Sequence, residues 1–109
     1  MGDSLARLQT FPPPVQDEIG YALYLAQVGG KHVSATPLKG LGAGVLEVVS
    51  DHRGDTFRAV YTVRFQGRVY VLHAFQKKSK KGIATPRPDI DLIKDRLARA
   101  VALDGARKD

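Results

Sequence analysis

The stretch from Phe57 to Lys81, FRAVYTVRFQGRVYVLHAFQKKSKK, decides the fold. It alternates apolar and polar residues on both sides of Gln66-Gly67, the pattern of two half-buried strands joined by a tight turn, with glycine where positive φ is needed. A two-residue loop there pairs Phe65 with Arg68. Counting outward, Thr56 falls opposite Lys77, Arg58 opposite Phe75 and Val60 opposite His73, and opposed residues share one face of a sheet. One face is therefore expected to carry Arg58, His73, Phe75 and Lys77. The other carries Phe57, Ala59, Tyr61, Val63 and Phe65 with Tyr70, Leu72 and Ala74, apolar enough to be the side packed on helices. A sheet with one greasy face and one cationic, aromatic-bearing face predicts a polyanion bound across it, RNA above all.

Upstream of this hairpin, Val45 to Val49 reads as a strand, and the polar loop Ser50 to Asp55 ends in a turn at Gly54-Asp55. Before it, Lys31 to Gly44 contains Pro37 and several glycines and reads as a loop that holds Lys39 near the mouth of the first strand. Two helices precede the loop. A short one covers Asp3 to Gln9, with Leu5 and Leu8 on one side, and Pro12-Pro13-Pro14 stops it. The same prolines open a second helix, through Val15, Ile19, Ala22, Leu23 and Ala26, which Gly29-Gly30 closes. After the hairpin, Ser79 to Pro88 is basic and extended. A last helix follows with Asp89 or Asp91 in its first turn, Ile90, Ile93, Leu97 and Val101 inward, and Lys94, Arg96 and Arg99 on its wet side. Residues 104–109 are expected to fray into a tail. The fold class is α+β: a small twisted antiparallel sheet of three strands, two N-terminal helices on one face and a C-terminal helix.

The chain has 109 residues, enough for one domain with one core and too few for a separate substrate domain. Its 17 Lys and Arg against 11 Asp and Glu give a net charge of +6, the balance expected where the partner is a nucleic acid or an acidic protein. There is no cysteine, which excludes disulfides, thiolate metal sites and cysteine nucleophiles. His32, His52 and His73 lack metal-ligand spacing, and neither a metal nor another cofactor is expected. The N-terminus has no signal-peptide pattern and the apolar runs are strand length, so a soluble cytoplasmic protein with no membrane partner is expected.

With helix, helix, antiparallel strands and helix in order, the sequence resembles the RelE/ParE toxin superfamily, specifically its phage-related HigB-like branch. The resemblance covers most of the chain. It is carried by Val45-Leu46-Glu47 before a polar loop, Phe57-Arg58-Ala59-Val60-Tyr61 in the central strand, Leu72-His73-Ala74-Phe75-Gln76-Lys77-Lys78-Ser79 at the end of the next, Thr85-Pro86, and the helix with Arg96. It implies a RelE-like fold and the toxin of a type II toxin–antitoxin pair, an endoribonuclease that cuts mRNA in the ribosomal A site. It also implies a helix-turn-helix antitoxin encoded by an adjacent gene. The ParE branch implies an alternative, non-enzymatic inhibition of DNA gyrase, and a third reading is an RNA-binding module without catalysis. The family's short N-terminal strand has no counterpart here, so a fourth strand is expected to be missing from that end. Its arginine shortly after the first-strand glutamate is replaced by Val48-Val49.

RNA cleavage by the neighbouring 2′-hydroxyl without a metal needs a base, positive charge on the phosphorane, and an acid for the departing 5′-oxygen. Arg58 suits the second role, since its fork holds two phosphate oxygens and stays protonated. Its alternative is a strand arginine in a salt bridge. Lys77 and Lys78 are both candidates for a base or a ready acid, since crowded cations disfavour each other's charged form: strand geometry aims Lys77 at the Arg58 face, and the family resemblance favours Lys78. His73 exchanges protons near neutral pH if it is on the wet face. Glu47 shares that face as a base or, as the stronger expectation, a salt-bridge partner of Arg58. Phe75 stacks a splayed base if its face is open and is ordinary core otherwise. Lys80, Lys81 and Lys39 bind phosphates, and Arg64, about 20 Å from Arg58 along the strand, reaches only flanking RNA. Removing an exposed Arg58 is expected to cost little stability.

Overall fold

The computed structural model describes residues 3–30, 32, 35–38, 41, 44–64, 68–77 and 87–106. Seven elements follow in order: α1 (Ser4–Gln9), α2 (Pro13–Gln27), β1 (Ala35–Pro37), β2 (Val45–His52), β3 (Asp55–Val63), β4 (Val69–Lys77) and α3 (Arg87–Ala106). The fold is α+β. The four strands form one antiparallel sheet in the order β1-β2-β3-β4.

Proline and glycine set the bounds of α2. Pro12 is its N-cap and prolines occupy the first two helical positions, where the missing N–H groups would have no partner in any case. At the other end Gly29 takes φ 89°, which swings the chain back so that the Gly30 N–H donates to Leu25 O at 2.7 Å. Val15, Ile19, Ala22 and Ala26 form its buried stripe, as the periodicity predicts. In α1, Leu8 packs on the core but Leu5 is exposed, against expectation.

Three differences from the sequence reading concern the sheet. The fourth strand lies after α2, not before the helices: Ala35, Thr36 and Pro37 pair with Val48, Glu47 and Leu46 from within the expected loop. Pro37, which has no N–H to donate, is tolerated because β1 is an edge. Second, β2 and β3 run further toward each other than expected, pairing up to His52 with Asp55. The turn between them is Arg53-Gly54, both left-handed (φ 52° and 85°), the two-residue turn whose twist matches a hairpin. Third, β3 and β4 keep the expected pairs Thr56–Lys77, Arg58–Phe75 and Val60–His73, but the register then slips. Tyr61 pairs with Val71, Thr62 with Tyr70 and Val63 with Val69, leaving Leu72 as the extra residue of a bulge. The expected turn Gln66-Gly67 and the strand residue Phe65, expected opposite Arg68, lie outside the described residues; just before them, the Arg64 N–H donates to Arg68 O at 2.7 Å.

The bulge redistributes side chains. Val63 and Val69 lie with Phe57, Ala59, Tyr61 and Ala74 against α1 and α2, in a core that includes Phe11, Val15 and Ile19. Tyr70 and Leu72, expected on that face, instead join Val45, Val60 and Phe75 in a second core under α3, built around Ile93 and Ala100. The sheet is thus covered on both faces. The face expected to be open is the one that α3 lies across. Its helical phase differs from expectation as well: Ile93, Ala100 and partly Leu97 point inward, while Val101 is exposed and Arg96 faces the protein. The helix also continues through residues 104–106, where the sequence reading placed a tail. Among the described residues, no helix is long and apolar enough to cross a membrane.

Candidate functional site

Arg58 stands in the middle of β3 between Val49 on β2 and Phe75 on β4. Its Nη1 donates to Glu47 Oε2 at 3.0 Å, along the diagonal between β2 and β3. The two side chains are 17% and 9% exposed, so this is a largely desolvated pair in which each charge compensates the other's loss of water. The salt-bridge reading of Glu47 is the one realised. Arg58 Nε is buried without a hydrogen-bond partner. The expectation that Arg58 is an exposed cation, removable at little cost, is corrected: it is largely buried, and its loss would take a compensating charge from the buried Glu47 carboxylate.

His73 is also far from a wet face. It is 1% exposed, and its Nε2 donates to Asp89 Oδ1 at 2.7 Å. Asp89 lies in the first turn of α3, where the helix dipole favours a carboxylate. The imidazole stacks on Phe75 with centroids 4.8 Å apart and planes 22° from parallel, and its Nδ1 is buried without a partner. Phe75 is 5% exposed, inside the core beneath α3. It is therefore not a base-stacking platform in this arrangement, because α3 occupies the space a base would take.

Arg64 lies just past the C-terminal end of β3 and joins a different cluster. Asp104 of α3 accepts from Arg68 Nε at 2.9 Å and lies 4.0 Å from Arg64 Nε. The Asp104 carboxylate holds the Arg68 guanidinium above its ordinary value. Arg64 Nε has no hydrogen-bond partner and is buried, so it too is not simply presented to flanking RNA. Lys77 pairs through its backbone with Thr56, as expected. Its side chain, like Lys39, Lys78, Lys80 and Lys81, lies outside the described residues.

The sequence reading missed the inward partners. Arg96, assigned to the wet side of α3, donates to Leu72 O at 2.8 Å, to Ser4 Oγ at 3.1 Å and to Asp3 Oδ1 at 2.9 Å. One side chain thus ties α3 to the bulge of β4 and to the start of α1. Arg96 and then Arg7 hold the Asp3 carboxyl below its ordinary value of 3.8. The signal for Arg96 was its position, three residues after Ile93 and one before Leu97, on the same inner arc. For Asp89 and Asp104 there was no local signal, since their partners are distant in sequence.

The site is therefore a closed polar seam between sheet and helix. Arg58 is matched by Glu47, Arg64 and Arg68 by Asp104, His73 by Asp89 and Arg96 by Asp3. Among the described residues no cluster of His, Cys, Asp and Glu could hold a metal ion. The model of the family described as Phage derived protein Gp49-like (DUF891) matches residues 6–98. No curated protein and no solved structure matches the chain.

Proposed function

The chain belongs to the phage-derived Gp49-like family, and from that premise we propose that it is the toxin of a type II toxin–antitoxin pair, acting in the cytoplasm as a ribosome-dependent mRNA endoribonuclease. The observation that carries this reading is the position of Arg58. It sits at the centre of the sheet, beside a stacked His73–Phe75 pair, on the strand adjacent to the one that leads into the lysine run from Lys77 to Lys81. The order of helices around an antiparallel sheet, and the resemblance to RelE/ParE toxins carried by the Phe57 to Tyr61 and Leu72 to Ser79 motifs, point the same way.

In this reading the 2′-hydroxyl attacks the adjacent phosphorus, the bond to the 5′-oxygen breaks, and a 2′,3′-cyclic phosphate and a 5′-hydroxyl result. Arg58 stabilises the charge on the phosphorane. Glu47 holds one arm of its guanidinium and leaves the rest of the fork for the phosphate. Lys77, Lys78 and His73 are the candidates for the proton transfers, Lys80 and Lys81 for phosphate contacts. The proposed neutralising partner is a helix-turn-helix antitoxin encoded next to this gene.

The burial of His73 and Phe75 favours a second reading, a protein that inhibits by binding alone, whether to gyrase or to RNA. Primer extension on mRNA under translation separates the two. Discrete cuts in codon register are the expected result; intact mRNA together with trapped gyrase–DNA cleavage complexes would reject the endoribonuclease. The adjacent reading frame is a second check, expected to encode a small DNA-binding protein.

A further inference from the structure

We propose that α3 is a lid over the Arg58, His73 and Phe75 face, latched by polar side chains, and that this face binds RNA only when the lid lifts. The lid itself follows from the geometry; its use for RNA rests on the function proposed above.

The two sides of the sheet are covered in different ways. α2 seals its face with four buried apolar residues, Val15, Ile19, Ala22 and Ala26. α3 is longer, yet among the described residues its fully buried apolar side chains are Ile93 and Ala100, with Leu97 partly buried and Val101 and Leu103 exposed. Its remaining hold is polar and spread along its length: Asp89 on His73 near the start, Arg96 on Leu72 O, Ser4 and Asp3 in the middle, and Asp104 on Arg68 near the end. Polar contacts of this kind exchange for water at little net cost when an element lifts, whereas a buried apolar seam does not. Elements with few buried apolar contacts are the ones that open locally below the free energy of global unfolding. The latches are also reachable from outside, since Asp89 is 28% exposed and Asp3 half exposed.

The closed state carries a penalty that opening relieves. Arg58 Nε and His73 Nδ1 are buried without partners on the covered face. A desolvated donor or acceptor left unpaired disfavours the closed arrangement. Lifting α3 hydrates both and uncovers Phe75, whose ring then stacks a base beside the Arg58 guanidinium. A phosphate at Arg58 would further favour the open state over the closed one, because only the open state binds it.

The absence of cysteine makes the lid directly testable, since one introduced thiol is the only one in the protein. Ala100 is on the inner side of the lid itself and Ala74 on the opposite face of the sheet; both are fully buried, and Ala→Cys is a small change at either. The reaction of Ala100→Cys and Ala74→Cys with a small aromatic disulfide reagent is followed under native conditions. The Ala100→Cys thiol is expected to react at least tenfold faster. Adding Asp89→Asn, which removes the latch charge, should accelerate it further, and urea below the unfolding transition should raise the Ala74→Cys rate more steeply than the Ala100→Cys rate. Equal rates for the two thiols, or equally steep dependences on urea, would mean that exposure occurs only through global unfolding and would overturn the lid. A single-stranded RNA oligonucleotide should also accelerate the Ala100→Cys reaction. A fast thiol indifferent to RNA would leave the lid standing and remove RNA from this face.

Discussion

Arg58 and Glu47 form a diagonal pair across β2 and β3, with 3.0 Å between Nη1 and Oε2, in a setting where neither side chain is more than 17% exposed. Such a pair contributes little net stability as a unit, because desolvation offsets the attraction, but removing one member leaves the other charged and buried.

Arg58→Ala is therefore expected to lower the unfolding free energy by about 3 kcal/mol, and the Glu47→Gln/Arg58→Gln double variant by less than the single change. Urea unfolding of the set measures both. If Arg58→Ala stays within about 0.5 kcal/mol of the parent, the pair is effectively solvated. A consequence for function studies follows: lost toxicity in Arg58→Ala does not by itself identify a catalytic group, and Arg58→Lys, which keeps the charge without the fork, is the better probe.

Tyr61 is fully buried against α2, and its hydroxyl has no partner. Burial pushes its phenol above the ordinary 10.0. Tyr61→Phe removes an unsatisfied polar atom without changing the ring and is expected to raise stability by about 1 kcal/mol. The unfolded chain ionises from pH 10.0, below the folded value, so this contribution is intact below pH 10 and is lost as pH rises above it. Denaturation midpoints between pH 8 and 11 should fall for the parent more than for Tyr61→Phe. Parallel profiles would contradict the assignment.

Asp3 titrates with the opposite sign. Its carboxyl is lowered by Arg96 and Arg7, so the tie between α1 and α3 contributes above the ordinary value of 3.8 and is lost as pH falls below it. Asp3→Asn should match the parent at low pH and be the less stable of the two near neutrality. A difference that is constant from pH 2 to pH 7 would show that the effect is not electrostatic.

The Arg53-Gly54 turn holds a non-glycine residue at φ 52°. Arg53→Asn places the residue preferred for this turn there, and is expected to gain about 0.5 to 1 kcal/mol. Gly54→Ala, at φ 85°, should lose a comparable amount or more. Thermal midpoints of the two variants should move in opposite directions.

For the lysine run, Lys77→Ala and Lys78→Ala should each reduce mRNA cleavage. Lys81→Ala should weaken RNA binding and reduce the slope of log affinity against log salt by about 1. Binding titrations at several salt concentrations distinguish these effects. A salt slope unchanged in Lys81→Ala would remove that residue from the phosphate contacts.

Much of the sheet was legible locally. The alternation from Phe57 onward placed Arg58 opposite Phe75 and Val60 opposite His73, and it put Glu47 on the Arg58 face, because side-chain direction in a strand depends only on counting. The proline run and Gly29-Gly30 bounded α2 for an equally local reason, the allowed φ of those residues. Counting fails where the backbone departs from regularity, as at Leu72, whose bulge moved Tyr70 to the other core, and at Ala35 to Pro37, too short to show a period.

What the sequence by itself determined is therefore which residues share a face of this sheet. Whether that face is open was decided only by tertiary structure. Polar residues such as His73 and Arg96 read as solvent-facing, because water is the default partner for a charge. Asp89 lies sixteen residues from His73, and Asp3 ninety-three from Arg96. Only when the fold brings such groups within hydrogen-bond distance can a polar face be covered by a helix, since each buried charge then meets a compensating one.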